Sequence, residues 1–205
     1  MKVKIIGGNH EYDALFRNLG HSLVSTFSVA DLVCFTGGED VSPELYGDNK
    51  HIYTHSNWHR DYDEVEQFQI AVKSDVPMVG ICRGAQFLNV MNGGRMYQHV
   101  TKHAGDHEIT DLVTGDKVLV SSTHHQMMMM GSEGVLVASS TLHGDREWYD
   151  KEIHKKDMSE QDIEVVYYEK TQSLCFQPHP EFSGNRYDPM RNYFANLLDR
   201  YLNIK

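Results

Sequence analysis

The chain has 205 residues, 40% of them hydrophobic and 23% charged, a balance that supports one well-buried soluble domain and carries no disorder signature. A formal net charge of -10, with no basic cluster, excludes a nucleic-acid partner, because phosphate binding needs a cationic surface to release counterions. No apolar run approaches the ~20 residues needed to cross a bilayer, and three cysteines without framework spacing suit a reducing compartment.

The chain opens with Met1-Lys-Val-Lys-Ile and no apolar leader, so a cytoplasmic protein with a single domain over residues 1–205 is expected. Val3 to Ile6 reads as a strand ending at Gly7-Gly8, and Glu11 to Leu19 has helical spacing at Leu15, Phe16 and Leu19. Ser22 to Phe27 reads as a short strand. Asp31 to Thr36 is a stronger one, with Cys34 a small buried hydrophobe, and it ends at a Gly37-Gly38 turn. Such a turn at a strand's carboxyl end lets backbone approach a ligand, although alone it is simply a tight turn.

Asn49 to Arg60 reads as a polar loop carrying His51, His55 and His59. Their four-residue spacing would suit a metal only on a helix, and the apolar pattern for one is poor. A second triplet, His99, His103 and His107, is interrupted by Gly105 and lacks an evident Cys or carboxylate ligand. Both triplets read as loop histidines near a cleft, and no metal is expected.

Asp61 to Ser74 is the next helix, followed by the buried strand Met78, Val79, Ile81 and a helix from Gln86 to Met91 that Asn92-Gly93-Gly94 stops. Cys82 sits on the hinge between that strand and helix, inside Gly80-Ile-Cys-Arg-Gly84. Small flanking residues are what a strained nucleophile turn requires, and the new helix aims its free N–H groups at the sulfur. Beyond a polar, histidine-bearing stretch to about Glu108, strands are expected at Lys117 to Ser121 and Gly134 to Ser139. Between them lie His124-His125-Gln126 and the run Met127 to Met130. The methionines are expected to pack against the core or rim a pocket, since a copper or haem role needs companions the sequence lacks.

Residues 145–161 are charged and poor in apolar side chains, and read as a solvated surface segment inserted into a compact core. Ile163 to Tyr168 and Leu174 to Gln177 read as paired strands, and Pro189 to Leu202 as a closing helix. The last strand delivers Pro178-His179-Pro180-Glu181. On extended backbone His179 and Glu181 point to one side, and a thiol nucleophile needs such a base and a third group to orient it.

Taken together, Thr36-Gly-Gly-Glu-Asp-Val-Ser-Pro-Glu-Leu-Tyr-Gly47, Gly80-Ile-Cys-Arg-Gly-Ala-Gln86, His124-His125-Gln126 and Gln177-Pro-His-Pro-Glu181 resemble the class I glutamine amidotransferase superfamily, specifically its γ-glutamyl hydrolase branch, peptidase family C26. The resemblance implies an α/β, flavodoxin-like three-layer sandwich with a mainly parallel central sheet. It implies a catalytic triad of Cys82, His179 and Glu181 acting through a thioester. It further implies an oxyanion hole from the backbone of Gly38 and Arg83, and glutamyl contacts from Gln86, His124, His125 and Gln126. The family commonly has an aromatic residue before the catalytic His, where this chain has Pro178. Residue 83 is Arg, as in the hydrolase branch. No cofactor is implied.

The leading expectation is a cysteine-dependent hydrolase of small γ-glutamyl conjugates or glutamine. The alternatives are a glutaminase subunit serving a separate synthetase and a catalytically inactive binding module. The expected partners are a small-molecule substrate and either a second copy of the chain or a synthetase, with neither nucleic acid nor membrane.

Overall fold

The computed structural model describes residues 1–142, 144–158 and 161–205. In chain order the elements are β1 (Lys2–Ile6), α1 (His10–Asn18), β2 (Ser22–Leu23), β3 (Leu32–Phe35), α2 (Trp58–Lys73), β4 (Met78–Ile81) and α3 (Arg83–Met91). The middle of the chain adds β5 (Arg95–Tyr97), β6 (His99–Val100), β7 (His107–Asp111), β8 (Lys117–Val120), β9 (Met127–Met129) and β10 (Val135–Ser140). It closes with β11 (Asp145–Asp150), β12 (Ile153–Met158), β13 (Asp162–Tyr168), β14 (Ser173–Phe176) and α4 (Asp188–Leu202).

A nine-stranded sheet in the order β2-β1-β3-β4-β14-β13-β10-β7-β8 organises the molecule. From β2 to β14 every neighbouring pair is parallel, and from β14 to β8 every pair is antiparallel. Residues alternate across a strand, so β3 sends Leu32 and Cys34 into one buried cluster and Val33 and Phe35 into another. The first cluster takes Leu15 and Phe16 from α1 and Phe194, Leu197 and Leu198 from α4. The second takes Phe68 and Ala71 from α2 and Phe87 and Leu88 from α3. The result is the expected sandwich of helices on both faces of a sheet. Truncating a fully buried aromatic such as Phe87 or Phe194 to Ala in such a core costs about 3–5 kcal/mol.

Several local expectations are corrected. Helix α2 starts at Trp58, where the Asn57 side chain accepts from the Arg60 N–H, so the first helical turn takes His59 out of the expected loop. The strand expected over Ser22 to Phe27 pairs only at Ser22 and Leu23 and gives way to a 3-10 turn at Phe27–Val29. The histidine-bearing stretch is not irregular: β6 and β7 carry His99 and His107. β6 has only two residues, and in β7 the buried positions include the polar His107 and Asp111, so no apolar alternation registers in sequence. Of the two triplets, His51 and His103 do lie in loops but, like His107 on β7, they are buried rather than exposed at a cleft. The methionine run forms β9 against β5, with Met127 and Met128 fully buried.

The charged segment is a hairpin, β11 with β12, whose inner strand pairs with β6. Its outer strand is mostly exposed, as a solvated segment should be. Arg146 is the exception: it is buried, ion-paired to Asp162, and lies over the Tyr97 ring at 4.6 Å. Ser159 and Glu160 of that segment lie outside the described residues. Among the described residues no helix is long and apolar enough to cross a membrane.

Candidate active site

Three adjacent strands deliver the candidate residues to one edge of the sheet. In the register of β3, β4 and β14, Phe35 faces Gly80 and Ile81 faces Phe176, so Gly37-Gly38, Cys82 and His179 all leave carboxyl strand ends side by side. That is where open α/β sheets hold their ligands. Cys82 adopts φ 52°, ψ -112°, a strained left-handed turn that lets the chain reverse directly from strand to helix. The glycines around it are sterically required. A Cβ on Gly84 would lie 2.1 Å from the Phe35 carbonyl oxygen, and one on Gly80 would lie 2.3 Å from that of Gly84.

His179 Nδ1 lies 2.7 Å from Glu181 Oε1, its ring stacks on Phe182 at 4.6 Å, and its backbone N–H donates to Ser121 Oγ at 3.0 Å. Its Nε2 is 2.8 Å from the Thr123 hydroxyl. Burial disfavours the imidazolium, but hydrogen bonds to Cys82 and Glu181 and the charges of both outweigh it, and His179 is pushed up to about 10. A base held in its charged form beside a sulfur and a carboxylate is equipped to give a proton to a departing group.

The Gly37-Gly38 turn closes over this pair. Atoms of Cys82 and His179 each lie 3.6 Å from where a Cβ of Gly37 would stand, and the Gly37 N–H donates to the Tyr12 hydroxyl at 3.0 Å. From outside, Arg60 Nη2 donates to the carbonyls of Thr36 and Gly37, each at 3.0 Å. Arg60 is tied to Glu64 at 2.9 Å, and Arg83 pairs with both Glu64 and Asp61. Asp61 in turn accepts from the Ser42 N–H at 2.9 Å. Arg83, Asp61 and Glu64 are all buried, so the Arg83 guanidinium holds α2 directly and reaches the glycine turn through Glu64 and Arg60.

A cavity of about 340 Å³ lies above Cys82, with Gly38, Arg83, Gln86, His55 and His125 among its walls. His124 and Gln126 also line it, but their side-chain hydrogen bonds run inward. His124 Nδ1 meets the Gln126 carbonyl at 2.9 Å, and Gln126 Nε2 donates to Thr54 and to the Gln98 carbonyl, each at 3.1 Å. His125 stays half-exposed beside Asp40 at 3.2 Å, which raises its pKa through a hydrogen bond. Gln86 reaches Gln177 Oε1 at 3.2 Å.

Of the residues given roles by the resemblance, all but Glu181 line this cavity, and Glu181 stands against His179. Sequence reasoning missed Thr123, Arg60, Glu64, Tyr12 and Asp40. Arg60 and Glu64 could have been found as an i,i+4 charge pair at the start of a helix. Nothing local marks Thr123, which reaches His179 only through the pairing of the far strands.

A parallel sheet with a cysteine elbow and a His-x-Glu pair at adjacent strand ends is the framework of the class I glutamine amidotransferase-like superfamily. Residues 21–181 match the family Peptidase C26, and the chain belongs to that family. A glutamine amidotransferase-like protein, YvdE, of Lactococcus lactis subsp. lactis is 32% identical over 124 residues, covering 54% of this chain and 51% of that protein. The carbamoyl phosphate synthase small chain of Pseudomonas syringae pv. tomato is 30% identical over 141 residues, covering 67% of this chain and 32% of that one. A crystal structure of a glutamine amidotransferase from Thermotoga maritima shares the fold, with a TM-score of 0.61 at 14% identity over 98% of this chain and 84% of that one. The matched region spans about half the length of the glutamine amidotransferase-like relatives.

Proposed function

We propose that this chain is a cysteine-dependent amidohydrolase that cleaves the γ-glutamyl amide bond of a small conjugate, or of glutamine, and releases glutamate. The observation that carries this reading is Cys82, held at φ 52° beside His179, which is itself 2.7 Å from Glu181. The Cys82 sulfur attacks the γ-carbonyl carbon, and the negative charge that develops on the carbonyl oxygen is received by the backbone N–H groups of Gly38 and Arg83. Arg83 opens α3, so its N–H has no acceptor within the helix. His179 gives its proton to the departing amine as the C–N bond breaks, leaving a thioester. It then takes a proton from water, whose oxygen attacks the thioester, and the C–S bond breaks to return the thiolate and imidazolium. Glu181 fixes the imidazole tautomer and balances its charge.

Gln86 and the 124–126 loop bound the glutamyl end. Because His124 and Gln126 bond inward, the loop's contribution comes from the His125 ring and from backbone. The amine portion extends along the wall that Asp40 and His55 form.

A second reading, an ammonia-supplying subunit for a separate synthetase, is favoured by the likeness to a carbamoyl phosphate synthase small chain. The test is glutamate release from a panel of γ-glutamyl amides by wild type and Cys82→Ala. Unaided release, lost at least ~10⁴-fold in the variant, supports the hydrolase. Activity on glutamine alone, and only after a synthetase is added, assigns the second reading. No turnover together with failure of Cys82 to react with a glutamine-like diazo ketone means an inactive binding module.

A further inference from the structure

Behind the Thr123 wall lies a buried polar cluster that the reaction above does not use. His103, between β6 and β7, His124, in the loop after β8, and Glu164, on β13, are each buried. Each offers a ligand atom, and these atoms all lie within 4.8 Å of one another. Neither histidine triplet of the sequence contains this grouping.

The hydrogen bonds around the cluster decide which atoms carry protons. His124 Nδ1 faces the Gln126 carbonyl at 2.9 Å, an oxygen that only accepts, so Nδ1 bears the hydrogen and Nε2 a lone pair. His103 Nε2 faces a carboxylate oxygen of Asp162, so its Nδ1 is the lone-pair nitrogen. Glu164 Oε1 accepts from His107 Nε2 at 2.9 Å, leaving Oε2. His103 Nδ1, His124 Nε2 and Glu164 Oε2 are the atoms of these residues that are buried with no hydrogen-bond partner among the described residues.

Three buried acceptors without a partner therefore belong to residues that converge on one spot. An unsatisfied buried polar group costs about 1–3 kcal/mol, and three acceptors cannot satisfy each other. A cation at their centre satisfies all three. We propose that His103, His124 and Glu164 form a binding site for a zinc-class divalent metal ion.

Two imidazoles and one carboxylate are a zinc-type donor set, with a fourth position left for water. Magnesium and calcium want more oxygens than the cluster has. The surrounding bonds are those that orient metal ligands, since a ligating His usually donates its other N–H to a carboxylate or carbonyl, as His103 does to Asp162 and His124 to Gln126. The ligand atoms of one tetrahedral ion stand roughly 3.3 Å apart. His103 Nδ1 is 3.9 Å from Glu164 Oε1, the oxygen that His107 holds, so a rotation of the carboxylate is what brings Oε2 into the shell. Such an ion would staple the 121–126 loop to β13. Thr123, which touches His179, precedes the ligand His124, so the metal's role is to hold the wall of the active site and not to meet the substrate.

A rival group, His51, Glu147 and His154, is more exposed, and Lys156 already lies 3.2 Å from Glu147. It supplies the control. Chelator-treated full-length protein is titrated with Zn²⁺ against a chromophoric competitor, and with Co²⁺ read by visible absorption. One equivalent should bind, with the intense bands of four-coordinate cobalt. Glu164→Gln should weaken Zn²⁺ at least ~10-fold while Glu147→Gln leaves it unchanged. Should Glu164→Gln not fold, X-ray absorption of the Zn²⁺-loaded wild type decides, with a nitrogen and oxygen shell containing two imidazoles expected. The proposal is overturned by the absence of stoichiometric binding, by loss in Glu147→Gln instead of Glu164→Gln, or by a sulfur in the zinc shell.

Discussion

The two halves of the central sheet are built by different rules. From β2 to β14 the strands are parallel and their buried residues are nearly all apolar, and β3, β4 and β14 are short buried runs. From β13 to β8 the strands are antiparallel, and buried polar side chains are common: Asp111, Asp162 and Glu164 lie on strands, and His103 and His124 on the loops between. The parallel half places the glycine turn, Cys82 and His179 at adjacent strand ends. The antiparallel half supplies Ser121 and Thr123, which hold the base. On the proposed function, this edge draws its chemistry from one half and its positioning from the other.

The sharpest way to test that division is His179→Ala. It should lower kcat/KM on a γ-glutamyl amide by about 10⁴-fold while the far-ultraviolet spectrum stays that of wild type; an equal loss of fold would mean that the base is structural. The same residue sets a pH dependence. His179 is raised from 6.5 to about 10, so its contribution to stability is fully present below pH 6.5 and is lost as pH rises towards 10. Urea unfolding of wild type should show that decline and His179→Ala should not. Activity should fall through the same upper limit as the imidazolium is lost.

Next in size is Arg83→Met, which strands the buried carboxylates of Asp61 and Glu64. A loss of about 3–5 kcal/mol is expected in urea unfolding, with reduced turnover in the molecules that remain folded because the glycine turn is released. Its counterpart in the antiparallel half is Asp111→Ala. Asp111 accepts from the Val113 and Thr114 N–H groups, from Tyr193 at 2.9 Å and from Arg200 at 2.8 Å, pinning β7 to α4. Removing it should cost about 2–3 kcal/mol and leave kcat/KM of the folded protein unaltered. If turnover drops as well, the halves are not separable.

The smallest expected effect is that of Thr123→Val, which deletes the hydroxyl 2.8 Å from His179 Nε2. A kcat lower by roughly tenfold is expected, about the worth of one hydrogen bond to a charged group, with the melting temperature unmoved. A change in the high-pH limb of the rate profile would tie the hydroxyl to the imidazolium directly.

Arg83 shows how reading residues in isolation misleads. In the sequence it is a mark of the hydrolase branch and a backbone donor, whereas in the structure its side chain points back into α2 and is buried at 1% exposure. The charged hairpin was similarly half legible. Its polarity marks a solvated strand, but the inward turn of Arg146 depends on Asp162, a partner on another strand.

The sequence by itself determined the order of the parallel strands and helices, the glycine-flanked cysteine and the His-x-Glu pair. Each of those is a local matter: a hydrophobic run, a turn without Cβ atoms, two side chains on one side of an extended segment. Only the tertiary structure decided which histidines meet. His103, His124 and Glu164 come from three separate places along the chain, and the two histidine triplets with suggestive spacing do not assemble as triplets at all. Spacing along a chain fixes neighbours only within a helix or strand. Buried polar atoms find their partners through strand pairing across the sheet, and no periodicity in the sequence records that pairing.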